Sequence, residues 1–250
     1  MSVLLLRLAG PLQSWGSESR FVRRTTEPQP TKSGVLGLLA AALGRRRTDP
    51  IEDLVGLRFG VRADQPGTLV RDFQTARSLD GKATFPLSYR YYLADGAFVA
   101  AVEGPDGLLE GLDEAVRSPA FPLYLGRRSC PPAGPVSLGL RPGLLRTALA
   151  AEPWHASRLH QSRHAGPTVR LDLILDAEDD SVGAESSRDV PISFDPALRQ
   201  YSWRSIVRDQ TELPNPQFDA RAPQLDTRAA LPGPRRRRVR HEPLDALGGA

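Results

Sequence analysis

The sequence predicts an α+β fold, a β-α-β-β-α-β succession with an inserted β-hairpin and a smaller β region after it. Three observations carry the expectation. Residues 3–8, VLLLRL, are nearly all apolar and residues 57–62, LRFGVR, alternate, and both are strand patterns. Residues 33–43 and 108–116 place apolar side chains at helical spacing. Two Asp-Gly dipeptides, at 80–81 and 95–96, separate strand-like stretches as hairpin turns do.

The first strand has no polar face, so it belongs at the centre of a sheet covered on both sides. The loop PLQSWGSESRFVRRTTEPQPTKSG follows, with Gln13, Trp15, Arg20, Arg23 and Arg24. Loops this long inside compact domains are commonly functional. The next helix starts with Thr31 or Ser33 as N-cap and stops at Gly44. Its Val35, Leu36, Leu38, Leu39 and Leu43 wrap all sides, so it is expected to be buried, and Gly34 and Gly37 permit close backbone approach. Leu57, Phe59 and Val61 alternate with Arg58, Gly60 and Arg62, which predicts a half-buried strand with a basic open face. After the inserted ribbon, residues 108–116 form the second helix and end before Pro119. The stretch FPLYLGRRSCPPAGPVSLGL supplies the last strand, with Arg127 and Arg128 in a turn bounded by Gly and Pro. This order is the ferredoxin-like pattern.

Beyond residue 141, LRTALAAEPWHASRLHQSRHAGP is polar and irregular, and is expected to be mobile or docked to a partner. TVRLDLILD, RDVPISFD and YSWRSIVRD read as strands of a smaller β region. From Pro214, Pro and Arg dominate, and GPRRRRVRHEP has the composition of a disordered basic tail. The expected division is 1–140, 141–213 and 214–250. No internal repeat is present.

With 250 residues the chain can bury one large core or two small ones. No apolar run is long enough to span a bilayer. The apolar start is too short for a signal peptide core and lacks a cleavage site, so a cytoplasmic protein is expected. Cys130 is the single cysteine, which excludes an internal disulfide and a multi-thiolate metal site. Net charge is +4, and of 33 basic residues only Lys32 and Lys82 are lysines. Codon bias accounts for much of this, yet arginine's planar fork suits phosphates and bases whatever its origin.

PTKSG at a helix start invites comparison with a Walker phosphate loop, but prolines at 28 and 30 replace its glycine framework. A nucleotide triphosphatase is not expected on that ground. Thr31, Lys32 and Ser33 still make a generic anion site at a helix N-terminus, and an ordinary capped helix reads equally well. Trp15 is either a core plug or, beside Arg20, Arg23 and Arg24, a surface for stacking a base. Arg127 and Arg128 suit a phosphate, or form a solvated turn. His155, His160 and His164 are the only ingredients for acid–base chemistry, and no carboxylate or thiolate stands at metal-ligand spacing from them. No metal and no cofactor is expected. Cys130, beside two prolines, reads as a packing residue.

GPLQSWG, PTKSGVLGLLAAALG, LRFGVR, YRYYLAD and FPLYLGRRSCPP, in this order across residues 1–140, resemble the CasD subunits, the Cas-five family of subtype I-E Cascade complexes. RDVPISFD extends the resemblance toward residue 195. It implies a repeat-associated mysterious protein (RAMP) fold, with a ferredoxin-like domain, a β-hairpin thumb near 72–94 and a small C-terminal β portion. It also implies a non-catalytic, RNA-binding subunit in antiviral defence that caps the 5′ handle of CRISPR RNA. Such subunits contact a CasC-type backbone subunit and a CasA-type large subunit, and meet target DNA through the assembled complex. The loop residues would then lie along RNA, and Arg77 and Lys82 of the thumb would reach its backbone. Some relatives cut precursor CRISPR RNA themselves, so a metal-independent endoribonuclease using His155 or His160 is the alternative.

Overall fold

The computed structural model describes residues 2–16, 23–178, 181, 183–195 and 197–218. In chain order the first elements are β1 (Ser2–Ala9), β2 (Leu12–Gln13), β3 (Arg23–Arg24), α1 (Lys32–Ala42), α2 (Glu52–Val55) and β4 (Arg58–Gln65). Next come β5 (Thr68–Gln74), β6 (Ser88–Ala94), β7 (Ala97–Gly104), α3 (Asp106–Arg117) and β8 (Ser137–Pro142). The last are α4 (Leu145–Ala151), α5 (Arg158–Arg163), β9 (Thr168–Asp176), β10 (Glu185–Ser193) and β11 (Gln200–Pro214).

The chain is a mixed α/β protein built on antiparallel sheets. The larger sheet has the order β10-β11-β9-β4-β7-β1-β8, and every adjacent pair in it is antiparallel. β1 is an interior strand, flanked by β7 and β8 and covered on both faces, as its largely apolar sequence requires. Leu4, Leu6 and Leu8 face a core shared with α1 and α3, while Val3 and Leu5 face a second core under α4. β9, β10 and β11 are the strands expected after residue 167, but they continue this same sheet, because β9 pairs with β4.

α1 is buried as its composition demands. Thr31 is its N-cap, with Oγ1 accepting from the Gly34 amide at 3.2 Å. Both glycines admit close neighbours: a Cβ at Gly34 would lie 2.7 Å from the Trp15 ring, and Gly37 faces Phe194. Gly44, at φ +78°, ends the helix in the left-handed region.

The inserted ribbon differs from the expected pair of hairpins. β4–β7 and β5–β6 form one continuous antiparallel ribbon, with pairs Ala63–Phe98, Gln65–Ala97 and Thr68–Ala94 in sequence. Asp80-Gly81 lies at its tip, where Gly81 has φ +72°. Asp95-Gly96 is not a hairpin turn. It bends the returning strand from the smaller sheet into the larger one, with Asp95 at φ 55°. The dipeptide signals a left-handed residue, and a corner uses that conformation as well as a turn does.

Three further expectations are corrected. β4 has no basic open face, because Arg62 is 0 % exposed. Asp64, two residues on and on the same face, receives its Nε and Nη2, while Nη1 and Nη2 donate to the carbonyls of Leu149, Glu152 and Pro153. The stretch from Phe121 supplies its expected strand only at its end, as β8, while the residues from Pro119 to Val136 are irregular, pinned by Leu125 N–H to Cys130 O and Ser14 N–H to Leu125 O. The stretch after residue 141, expected to be irregular and either mobile or docked to a partner, folds into α4 and α5 around the buried Trp154, whose Nε1 donates to the Asp64 carbonyl at 2.7 Å.

Candidate nucleic-acid interface

At the N-terminal end of α1 the two sheets leave a cleft of about 1370 Å³. The loop after β2 gives Ser14 and Gly16 to one wall, β3 gives Arg24, and the irregular 124–129 segment gives Tyr124, Arg127 and Arg128. Arg90 enters from β6, Arg47 from beyond α1, and Arg188, Arg199 and Tyr201 from the β10–β11 hairpin. Seven arginines therefore line the cleft, with no Asp or Glu among its described lining residues. Such a wall focuses positive potential and draws in polyanions.

The smaller sheet fixes the arginines in place. β3 pairs with β6 in parallel, setting Arg24 opposite Arg90, and β2 pairs with β6 at Gln13 and Leu93. On one face of β6 the Arg127 guanidinium lies 4.7 Å from the Tyr92 ring centroid. On the other, Arg23 covers Tyr91 at 5.5 Å and Arg71 covers Tyr89 at 5.4 Å. The Arg127 loop can approach because Gly126 has φ +82°, and any Cβ there would overlap the Ser14 carbonyl.

The residues singled out from the sequence divide into three groups. Arg24, Arg127 and Arg128 reach the cleft, with Thr31 and Ser33 at its base, where Thr31 also caps α1. Arg23 lies on the opposite face of β6, and Arg77 and Lys82 are exposed toward the ribbon tip. Arg20 lies outside the described residues. Gln13, Trp15 and Lys32 hold the fold together, although Trp15 also borders the cleft.

Trp15 is 0 % exposed, so its ring cannot stack a base without opening the core. Its Nε1 donates to Gln13 Oε1 at 3.0 Å, and Gln13 Nε2 donates to the carbonyls of Leu8 and Gly96. Lys32 is buried and pairs with Asp176 at 3.0 Å, while its backbone N–H donates to Asp189. The anion at the α1 N-terminus is thus a carboxylate of β10. Arg204 closes this group through Asp176 and Asp189, and stacks over Phe59 at 5.2 Å. Burial opposes the Arg204 charge, and the two carboxylates outweigh it and raise its pKa.

The histidines lie elsewhere. His155 Nε2 meets Glu152 Oε1 at 2.8 Å, and His160 and His164 present edges to Trp154 at 5.9 and 5.8 Å. Burial opposes ionisation of Glu152, but hydrogen bonds from His155 and Arg141 hold its carboxyl below the usual range. Burial, then the nearby His164 and Arg163, push the His160 pKa down. Burial raises the Cys130 thiol pKa, consistent with a packing residue. Among the described residues no three His, Cys, Asp or Glu side chains cluster to hold a metal. None of the described helices is long and apolar enough to cross a membrane.

Arg47, Arg90, Arg188 and Arg199 were not legible as site residues, since each sits on a different element among many arginines. Only the YRYY pattern of β6, which sets Arg90 and Tyr92 on one face, carried a local signal.

Comparison with known proteins agrees with this architecture. The family model described as CRISPR-associated protein (Cas_Cas5) matches residues 3–207. The CRISPR system Cascade subunit CasD of Escherichia coli (strain K12) is 37 % identical, over 55 % of this chain and 70 % of that protein. A structure titled "Crystal structure of Cas protein" aligns with 40 % identity and a TM-score of 0.66, covering 86 % of this chain and 97 % of its own. A chain of a "CRISPR RNA-guided surveillance complex" aligns with 35 % identity and a TM-score of 0.70, covering 90 % and 95 %. The chain belongs to the Cas5 family of CRISPR-associated proteins.

Proposed function

We propose that this chain is the CasD-type subunit of a CRISPR Cascade complex, a non-catalytic RNA-binding protein that holds the 5′ handle of the guide RNA. The observation that carries the reading is the arginine-lined cleft at the α1 end of the sheets. Single-stranded RNA is held by basic grooves that track its backbone, with aromatic or guanidinium planes for its bases. Arg24, Arg127 and Arg128 would contact the handle, together with Arg47, Arg90, Arg188 and Arg199. The half of the large sheet ordered β8-β1-β7-β4 would be the ferredoxin-like unit of a RAMP protein, and the ribbon beyond the Asp95-Gly96 bend its thumb.

The ribbon suits contact with a neighbouring subunit. Leu69, Phe73, Leu79 and Phe85 are exposed along it, and Phe73 is 66 % exposed. Apolar side chains gathered on a protruding hairpin mark an interaction surface. A CasC-type backbone subunit is the proposed partner there, with a CasA-type large subunit and target DNA met through the assembled complex. Arg77 and Lys82 would reach RNA from the same ribbon.

The ribonuclease alternative finds no support in the histidine positions. His155, His160 and His164 gather about Trp154 and Glu152, and none of them lines the cleft. Incubating the full chain with its cognate repeat RNA without divalent metal tests both readings. Protection of the 5′ handle, with cross-links to the 124–129 segment and β6, is expected. Cleavage would favour the enzyme, and cross-links that avoid the cleft would refute the interface.

A further inference from the structure

Arg90 and Arg127 are held together in the cleft. Arg90 and Tyr92 stand two residues apart on one face of β6, and Arg127 stacks on that same Tyr92. Arg127 Nη2 also donates to the Arg24 carbonyl at 3.0 Å, and Arg24 is the residue opposite Arg90 in the β3–β6 register. The two guanidiniums therefore share one corner, framed by β3, β6 and the 124–129 segment.

Two of their nitrogens, Arg90 Nε and Arg127 Nη1, are buried and have no hydrogen-bond partner among the described residues. A charged donor buried without an acceptor is costly, and native proteins keep such groups satisfied. Like charges at close range add to the cost. No described carboxylate lines the cleft to relieve it.

Building on the reading of this cleft as an RNA site, we propose that Arg90 and Arg127 clamp a single phosphate and so fix the register of the RNA. Phosphate oxygens accept from Nε and Nη1 together, in the planar geometry that guanidinium groups offer and ammonium groups do not. Arg47 and Arg128 are exposed at the cleft wall and contribute attraction that is indifferent to register. An internal phosphodiester and a 5′-terminal phosphate present the same acceptor oxygens.

The test measures affinity of the full chain for handle RNA carrying one neutral methylphosphonate linkage at a time, with the 5′ end as hydroxyl or as phosphate. In the wild type one position is expected to stand out with roughly a tenfold loss, about 1.4 kcal/mol. In Arg127→Gln and in Arg90→Gln the same replacement should cost less than about twofold, because the contact is already gone. Arg127→Lys, which keeps the charge and loses the fork, should remain weak. Thermal melts of each variant accompany the binding, and Arg90→Gln gives a reading that leaves the Tyr92–Arg127 stack in place. If removing the 5′ phosphate reproduces the loss, the clamp holds the terminal group. If one internal linkage does, it holds the backbone. Equal losses at every linkage, or wild-type binding by Arg127→Lys, would overturn the clamp and leave the cleft as an RNA site. Absence of any salt-dependent RNA affinity in the wild type would remove the cleft reading and the clamp together.

Discussion

Arg62 and Trp15 show how single residues reverse roles once burial is known. All five N–H groups of Arg62 are engaged, two by Asp64 and three by carbonyls at the end of α4. Removing one partner of a buried pair costs about 3–5 kcal/mol, since the other charge remains. Arg62→Met should therefore lower unfolding free energy by about that much in chemical denaturation. A loss below about 1 kcal/mol would mean that water replaces the guanidinium. Trp15 packs on Gly34 with its indole N–H satisfied, and Trp15→Ala should cost about 3–5 kcal/mol of stability. RNA affinity of the fraction still folded should be unchanged. A stable variant with weakened RNA binding would restore the stacking role. The sequence left both fates of Trp15 open, because a Trp between Gln13 and Gly16 has no periodic context to say which way it points.

At the scale of elements, most of the architecture was legible because strands and helices with apolar periods of two and 3.6 announce themselves. The elements missed are those without a period. α4 and α5 are seven and six residues long, too short for a helical period to show, which hid the contacts of Leu145, Ala148 and Leu149 of α4 with the second core. The bend at Asp95-Gly96 was read as a hairpin because local sequence specifies φ and not which sheet the next strand joins. The start of α1 was legible as an anion site, but the anion, Asp189, lies 157 residues away in sequence. Lys32→Ala should consequently leave the salt dependence of RNA binding unaltered and lower stability by roughly 1–3 kcal/mol. A shallower salt slope in this variant would put a phosphate, and not Asp176, beside Lys32.

The segment around α5 carries an acid sensitivity of definite sign. His160 has a folded pKa below its ordinary value of 6.5, so the fold favours its neutral form. That contribution is present above pH 6.5 and is lost as pH falls. Glu152 is also depressed, so its contribution fades below its ordinary 4.5. Amide exchange in residues 154–166 should accelerate between pH 7 and pH 5 relative to β1 and β7, after correction for intrinsic rates. His160→Gln should abolish the upper part of that change. An unchanged profile in this variant would assign the sensitivity to another group.

At the scale of the whole molecule, the cleft is a property of assembly. Its arginines come from β3, the turn beyond α1, β6, the 124–129 segment and the β10–β11 hairpin, and only the fold brings them together. Arg24, Arg127 and Arg128 were legible because each sits in a loop whose length or Gly-Pro framing is itself a signal. The other four were indistinguishable from the arginine background of the chain. If this surface neutralises RNA phosphates, the salt dependence of binding reports it. RNA affinity of the full chain should fall linearly with salt on logarithmic axes, by about 0.7 per phosphate contacted. Replacing Arg47, Arg128 and Arg188 together by Gln should make that slope shallower by roughly 2, at unchanged melting temperature. A triple variant with the wild-type slope would contradict the account, because the RNA would then be bound somewhere other than the cleft.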